Sequence, residues 1–281
     1  CVKVLRDELP YNLHIFVNSV EFIAKVINTL KLAPEAVKVV CSTSGDSRQE
    51  NQRKLGNAYP IGQPSDPAKK INFYTSTCFE GCDIFDPDGV TFIVSDGRKA
   101  HTLLDISTLF TQICGRIRDS RYKAQIVHVY TTTKYSKAVT LDEFVAATQR
   151  TLADAEKFAS DINAVDEPSR EKLLKKIPYI NEQYVRIADN CLIVEKNLAN
   201  MDIVNFKISR HIYATYVNLT DELQRNGYKV SVQTYSKIVE HFAENPSART
   251  TFQELIVEYS RRKTMTEQFF LEESPSELCI E

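Results

Sequence analysis

Two short stretches combine residue types and spacings that could handle phosphate. The first is Thr75-Ser76-Thr77-Cys78-Phe79-Glu80-Gly81-Cys82-Asp83. Hydroxyls and loop amides can bind phosphate oxygens of a nucleic-acid backbone, and Asp83 could accept from a ribose hydroxyl or hold an arginine. The second is Gln112-Ile113-Cys114-Gly115-Arg116-Ile117-Arg118. A guanidinium stays charged and offers planar, forked donors that match phosphate oxygens. Gly115 removes a side chain where a ligand or another domain could approach closely. Arg116 and Arg118 are two residues apart and cannot share a helix face, so they serve one site only if the backbone leaves the helix around Gly115.

Each stretch also has a plainer reading. A turn rich in Ser and Thr is satisfied when Asp83 accepts from its own loop amides. Arginines at a helix end favour the negative end of the helix dipole. The order and separation of the two stretches raise the interest of both.

The elements around them indicate an α/β layered domain. Leu13 to Val17 is a run of strand length, and Asn18 with Glu21 three residues on opens a helical period through Val20, Ile23, Val26, Ile27 and Leu30. Further strands are expected at Val37 to Cys41, Ile71 to Thr75, Val90 to Ser95 and Gln125 to Tyr130. A short helix is expected around Gln49 to Leu55 and a longer one at Leu103 to Ile117. Runs apolar at consecutive positions suit strands of a parallel sheet buried on both faces. Ligands in such sheets sit beyond the carboxyl ends of the strands, and the loop from Ser76 to Asp83 follows such an end. Val2 to Leu5, ahead of Asp7-Glu8, imitates a strand ending in an acidic pair, but Arg6 and Pro10 interrupt it.

Beyond about Lys137 the texture changes, since only Gly227 of the eight glycines follows Gly115. The expected division is residues 1–136 as the α/β domain and 137–281 as a mostly helical domain with an acidic tail. Leu141, Phe144, Val145, Thr148, Leu152 and Ala155 fit one helix face. Helices are also expected over Leu173 to Ile187, broken at Pro178, and over Met201 to Leu223, Thr234 to Ala243 and Thr250 to Arg262. Tyr228 to Val232 reads as a short strand.

The formal net charge is −2, so any nucleic-acid contact must come from a local patch; Lys69-Lys70 and Arg98-Lys99 are candidates. Tyr179, Tyr184, Tyr213 and Tyr216 could stack on bases, although core packing is the plainer role. Seven cysteines, scattered except for Cys78 and Cys82, fit free thiols in a reducing compartment such as the cytoplasm. His14, His101, His128, His211 and His241 are far apart, and Cys78-x-x-x-Cys82 lacks a second pair at zinc spacing, so no structural metal is expected. No apolar run approaches the length needed to span a bilayer.

Taken together, the two stretches resemble motifs V and VI of the second RecA-like domain of superfamily 2 helicases. Thr75, Gly81 and Asp83 match the first motif; Gln112, Gly115 and Arg116 match the second. Leu13 to Ser19 resembles motif IV, and the resemblance covers roughly residues 11–132. The final arginine of the commonest second motif falls on Asp119 here, which leaves Arg118 or Arg121 for its role. The position after Gln112, often Arg in the family, is Ile113.

The resemblance implies an α/β, parallel-sheet RecA-like fold and one side of an ATP site. Arg116 and Gln112, with Arg118 or Arg121, would stabilise charge on the γ-phosphoryl group, and Gly81, Asp83 and Gly115 would line the nucleotide. Thr75, Ser76 and Asn18 would touch the backbone of single-stranded DNA or RNA. No glycine in the chain is followed by lysine, so the Walker A phosphate cradle is missing. ATP and its Mg²⁺ would therefore need a first RecA-like domain, and the chain is expected to be the carboxyl-terminal part of a longer protein, inactive alone. A non-catalytic nucleic-acid-binding or replication-assembly module with the same fold is the alternative. A nucleotide-binding α/β domain outside the helicases is a third reading.

Overall fold

A computed structural model describes residues 1–134, 139–176 and 183–233. The expected helices at Thr234 to Ala243 and Thr250 to Arg262, the acidic tail, and Tyr179 lie outside the described residues.

Five strands form one all-parallel sheet: β1 (Asn12–Phe16), β2 (Val37–Val40), β3 (Ile71–Tyr74), β4 (Gly89–Ser95) and β5 (Ile126–Tyr130), in the order β2-β3-β1-β4-β5. The expected α/β class with a parallel sheet is therefore observed. Register pairs Leu13 with Ile71 and Val90, and His14 with Asn72 and Thr91. Parallel strands need crossovers. Helices α2 (Val20–Leu30) and α3 (Ser47–Leu55) supply the first two. Ser19 caps α2 by accepting from the Phe22 amide at 3.2 Å, and Lys31 ends it in a left-handed conformation. A single helical turn, α1 (Val2–Leu5), precedes the sheet.

The sheet's two faces differ. Leu13, Ile15, Val17, Val39, Ile71, Phe73 and Val94 pack with Phe22, Ile23, Val26 and Ile27 of α2 and Leu55 of α3 in one apolar core. The alternate positions carry His14, Phe16, Lys38, Asn72, Tyr74, Thr91 and Ser95, all buried. This second face meets irregular chain, as Phe79 near Phe16 and Phe110 near His128 show, with ring centroids 6.3 and 5.2 Å apart.

The helix expected over Leu103 to Ile117 is shorter and broken. A wide turn, Ile106–Phe110, is followed by α4 (Thr111–Cys114). The Asp105 carboxylate caps the turn through the Thr108 amide at 3.0 Å. The Thr111 hydroxyl donates to the Ile106 carbonyl at 3.0 Å, while the Phe110 amide reaches back five residues to Asp105. Local hydroxyl bonding of this kind competes with the regular helical ladder.

The described chain forms two units: Cys1–Thr132 with the chain from Tyr216 onward, and Thr133–Thr215. The chain thus returns to the sheet unit after residue 215, an arrangement that a division at residue 136 does not contain. In the sheet unit α8 (Tyr216–Arg225) leads to Tyr228, whose hydroxyl lies 2.9 Å from that of Thr111. No strand forms at Tyr228 to Val232.

The second unit holds α5 (Leu141–Asn163), α6 (Glu167–Lys176) and α7 (Lys196–Phe206) around a hairpin of β6 (Val185–Ala188) and β7 (Cys191–Val194). Thr140 and Glu143 form a complete capping box at the start of α5. The hairpin corrects the expectation of helix through Ile187. Val-Arg-Ile-Ala and Cys-Leu-Ile-Val suit strands, and Asp189 and Asn190 take positive φ of 49° and 58° at the turn. A long helix over Met201 to Leu223 is also corrected. α7 runs into a wide turn (Lys207–His211) and a 3₁₀ turn (Ile212–Ala214), and Thr215 is extended. Among the described residues, no helix is long and apolar enough to cross a membrane.

Candidate functional site

β3 ends at Tyr74, and Thr75 opens a 3₁₀ turn, Ser76–Cys78. Thr75 is buried, with its hydroxyl 3.3 Å from that of Thr77. Asn18, just past β1, spans two loops: its amide donates to the His101 carbonyl at 2.9 Å and its oxygen accepts from the Ser76 amide at 3.4 Å. Asn18, Thr75 and Ser76 therefore gather at the carboxyl ends of β1 and β3. β1 and β4 are neighbours whose onward connections run to opposite sides of the sheet, the arrangement that opens a crevice in such folds.

On the β4 side of that crevice Asp96 is buried and holds Arg98 by two bonds, from Nε at 3.1 Å and from Nη2 at 3.2 Å. Burial raises the Asp96 pKa, but the Arg98 contacts outweigh it and leave the carboxyl below its usual range. Lys99 pairs with Glu21 of α2 at 2.7 Å. Lys69 and Lys70 lie at the other end of the sheet, before β3. Lys69 donates to the Pro34 and Val37 carbonyls, and Lys70 pairs with Asp7 at 2.5 Å. The two basic pairs do not share a rim.

The second locus is a minimal ribbon, a single parallel β-bridge between two loop segments. Helix α4 stops at Cys114, and Gly115 closes it with φ −90°. Beyond it the backbone leaves the helix. Ile84 bridges Ile117 in parallel, with the Ile84 amide donating to the Arg116 carbonyl at 2.9 Å and the Arg118 amide to the Ile84 carbonyl at 3.0 Å. Residues far apart in sequence thus meet. Arg116 is buried, and its guanidinium donates to the Gln112 carbonyl and side-chain oxygen and to the Cys82 carbonyl, each at 2.8 Å. Arg118 is half-exposed and its Nε donates to Asp83 at 2.7 Å. Gly81 has φ of +72°, a left-handed conformation that glycine adopts without strain, and it turns the chain into the ribbon.

Arg121 stands elsewhere. Its amide donates to the Pro87 carbonyl at 3.1 Å and its guanidinium pairs with Asp88, which precedes β4. The Asp88 carbonyl accepts from the Asn12 amide at the start of β1. Arg121 is therefore at the amino ends of the strands, and only Arg116 and Arg118 share the ribbon with Gln112, Gly115, Gly81 and Asp83.

One buried network was not foreseen. His14 Nε2 lies 2.8 Å from Asp86, and its Nδ1 lies 3.1 Å from the Tyr74 hydroxyl. Asn12 and the Asp88 amide also donate to Asp86, each at 3.0 Å. Burial raises the Asp86 pKa, but hydrogen bonds from His14, Asn12 and Asp88 outweigh it and hold the carboxyl below its usual range. Burial pushes the Tyr74 phenol far up. The network pins the loop that carries Asp83 onto the sheet. A histidine inside an apolar strand run was the available signal; its partner, 72 residues on, left no local trace.

Tyr184 and Tyr213 are buried, whereas Tyr216 is exposed. Among the described residues, no cluster of His, Cys, Asp and Glu could hold a metal ion.

No protein-family model, curated protein or solved structure matches this chain.

Proposed function

We propose that this chain works as the second RecA-like domain of an ATP-dependent superfamily 2 helicase or translocase. It would supply the arginine side of the ATP site and part of the track for single-stranded DNA or RNA. The observation that carries this reading is the ribbon. The Gly81-x-Asp83 segment and the Gln112-to-Arg118 segment meet through the bonds of Arg116 to the Cys82 carbonyl and of Arg118 to Asp83, on one parallel sheet.

The geometry supports a role for each residue within this reading. Arg118 uses only Nε on Asp83, so both its Nη groups are available to phosphate oxygens. Arg116 braces the loop from beneath and keeps Gln112 and Asp83 in place. ATP, with its Mg²⁺, would be held mainly by a first RecA-like domain carrying Walker A, with Arg118 stabilising charge on the transferring γ-phosphoryl group. Asn18, Thr75 and Ser76, at the crevice, would meet the single-strand backbone. Contact of that kind gives weak sequence preference and strong salt dependence.

The burial of Arg116 favours a second reading, a nucleic-acid-binding or replication-assembly module without turnover. A guanidinium spent on internal acceptors serves architecture as well as catalysis. The test is ATP hydrolysis by the protein expressed from its natural start, with and without single-stranded DNA or RNA. Strand-stimulated hydrolysis that Arg116→Ala abolishes supports the motor. An inert protein that binds single strands in a salt-dependent way supports the module instead.

A further inference from the structure

Phe85 is 68% exposed, the most exposed of the large apolar side chains among the described residues. Isolated exposed apolar residues are ordinary. This one occupies a defined place. Around the bridge Ile84 and Ile117 are buried at 3% each and Arg116 is buried as well, whereas Asp83, Phe85 and Arg118 are exposed to solvent. Phe85 follows Ile84, whose carbonyl accepts from the Arg118 amide at 3.0 Å, so Phe85 and Arg118 are neighbours across the bridge. Asp83 lies two residues back on the same face, about 6.6 Å along it. A flat apolar ring, a guanidinium with two unused Nη groups and a carboxylate thus share one open surface.

Those three chemistries match the three parts of a nucleotide. An aromatic ring stacks on a base, a guanidinium forks onto phosphate oxygens, and a carboxylate accepts from ribose hydroxyls. We propose that Phe85 is the base-stacking residue of a nucleoside triphosphate site that it forms with Arg118 and Asp83. The proposal rests on the reading of this ribbon as one side of an ATP site. Every base has a π-face, so stacking of this kind discriminates little among bases. ATP, GTP and CTP should bind with similar strength. The Asp83 pair orients the Arg118 head, so the phosphates lie on the Arg118 side of the stacked base.

The chain contains no tryptophan, so Phe85→Trp introduces its sole indole at an exposed position. The 281-residue chain carrying that substitution is titrated with ATP, with inorganic tripolyphosphate and with a single-stranded oligonucleotide. Calorimetry on the unmodified chain and on Phe85→Ala and Phe85→Tyr runs in parallel, with circular dichroism confirming the fold of each. Millimolar ATP should change the indole emission and tripolyphosphate should not. Phe85→Ala should weaken ATP about tenfold, Phe85→Tyr should restore it, and tripolyphosphate affinity should not change.

Equal ATP binding by Phe85→Ala and the unmodified chain overturns the proposal, as does a chain that binds no ATP at millimolar concentration. An indole that answers the oligonucleotide but not ATP also overturns it and moves Phe85 to the strand track. If the proposal fails while hydrolysis by the extended protein still depends on Arg116, the wider reading survives. If both fail, the ribbon is not an ATP site.

Discussion

The two faces of the one sheet are built on opposite principles. Toward α2 and α3 every side chain is apolar, from Leu13 and Ile15 to Phe73 and Val94. On the other face Lys38, His14, Asn72, Thr91 and Ser95 are buried among Phe16, Tyr74 and Ile93, and each must find a partner. Lys38 Nζ reaches the Pro64 and Asp66 carbonyls at 3.0 and 2.5 Å, and Asn72 reaches the Leu13 and Lys69 carbonyls at 3.1 and 2.7 Å. Apolar packing has no preferred direction and holds regular helices well. Buried polar groups have directions, and leaving one unpaired is costly. The face that must hold an irregular loop in one conformation is the face with the directional bonds.

The largest effects should come from breaking either face, with different tolerance. Ile23→Ala, at a fully buried position of α2, should cost about 3 kcal/mol, and Ile23→Val only about 1. Asp86→Ala should cost about 3 kcal/mol by stranding the groups that donate to the carboxylate. Asp86→Asn should recover little of this, because its amide nitrogen cannot accept those bonds. Urea titrations with unchanged slope measure all four. Recovery by Asp86→Asn comparable to that of Ile23→Val would erase the contrast. Asp86 also gives an acid dependence. Its folded pKa lies below the unfolded value of about 3.9. Its contribution is therefore present above that pH and is lost as pH falls through the folded pKa.

An effect that is small near neutral pH and grows on acidification belongs to the second face. Burial pushes the His128 imidazole down to about 3, against about 6.5 unfolded. Between those values the unfolded chain binds a proton that the folded chain does not, so stability declines as pH falls below about 6.5. The slope is at most about 1.4 kcal/mol per pH unit. His128→Phe should flatten the stability profile between pH 6.5 and 4, read from urea midpoints at several pH values. An unchanged profile would mean that another group titrates.

The smallest effect on stability belongs to the ribbon surface. The Asp83–Arg118 pair is half-exposed on both sides, and Asp83→Ala should cost under about 1 kcal/mol. A larger loss would make the pair a structural clasp.

Much of this was legible in the sequence, for physical reasons. The strands leave short, mostly apolar, β-prone runs, interrupted by His14, Lys38, Asn72, Thr91 and His128, and all five were found from them. The apolar pattern carried the expected helix through Ile117, past its end at Cys114; a departure at Gly115 entered only as the condition for Arg116 and Arg118 to serve one site. The hairpin at Val185 to Val194 was missed because the scarcity of glycine was read as helix, while Asp189 and Asn190 make the turn without one. The break before α4 depends on which carbonyl the Thr111 hydroxyl takes, a choice composition does not reveal. His14 and Asp86 were invisible as a pair because nothing local links them. Arg118 and Arg121 stayed equivalent in sequence because the run from Ile117 to the strand-start edge is set by the pairing of Ile84, a tertiary contact.

The arginines give the most direct test. Single-strand-stimulated ATP hydrolysis should be compared in the protein expressed from its natural start and in its Arg118→Ala and Arg121→Ala variants. Arg118 shares the ribbon with Asp83, whereas Arg121 pairs with Asp88, which precedes β4. The account predicts that Arg118→Ala lowers kcat by about 10³-fold, on the scale of a lost arginine finger, and that Arg121→Ala leaves it near wild type. Loss of turnover in Arg121→Ala with retention in Arg118→Ala would contradict it.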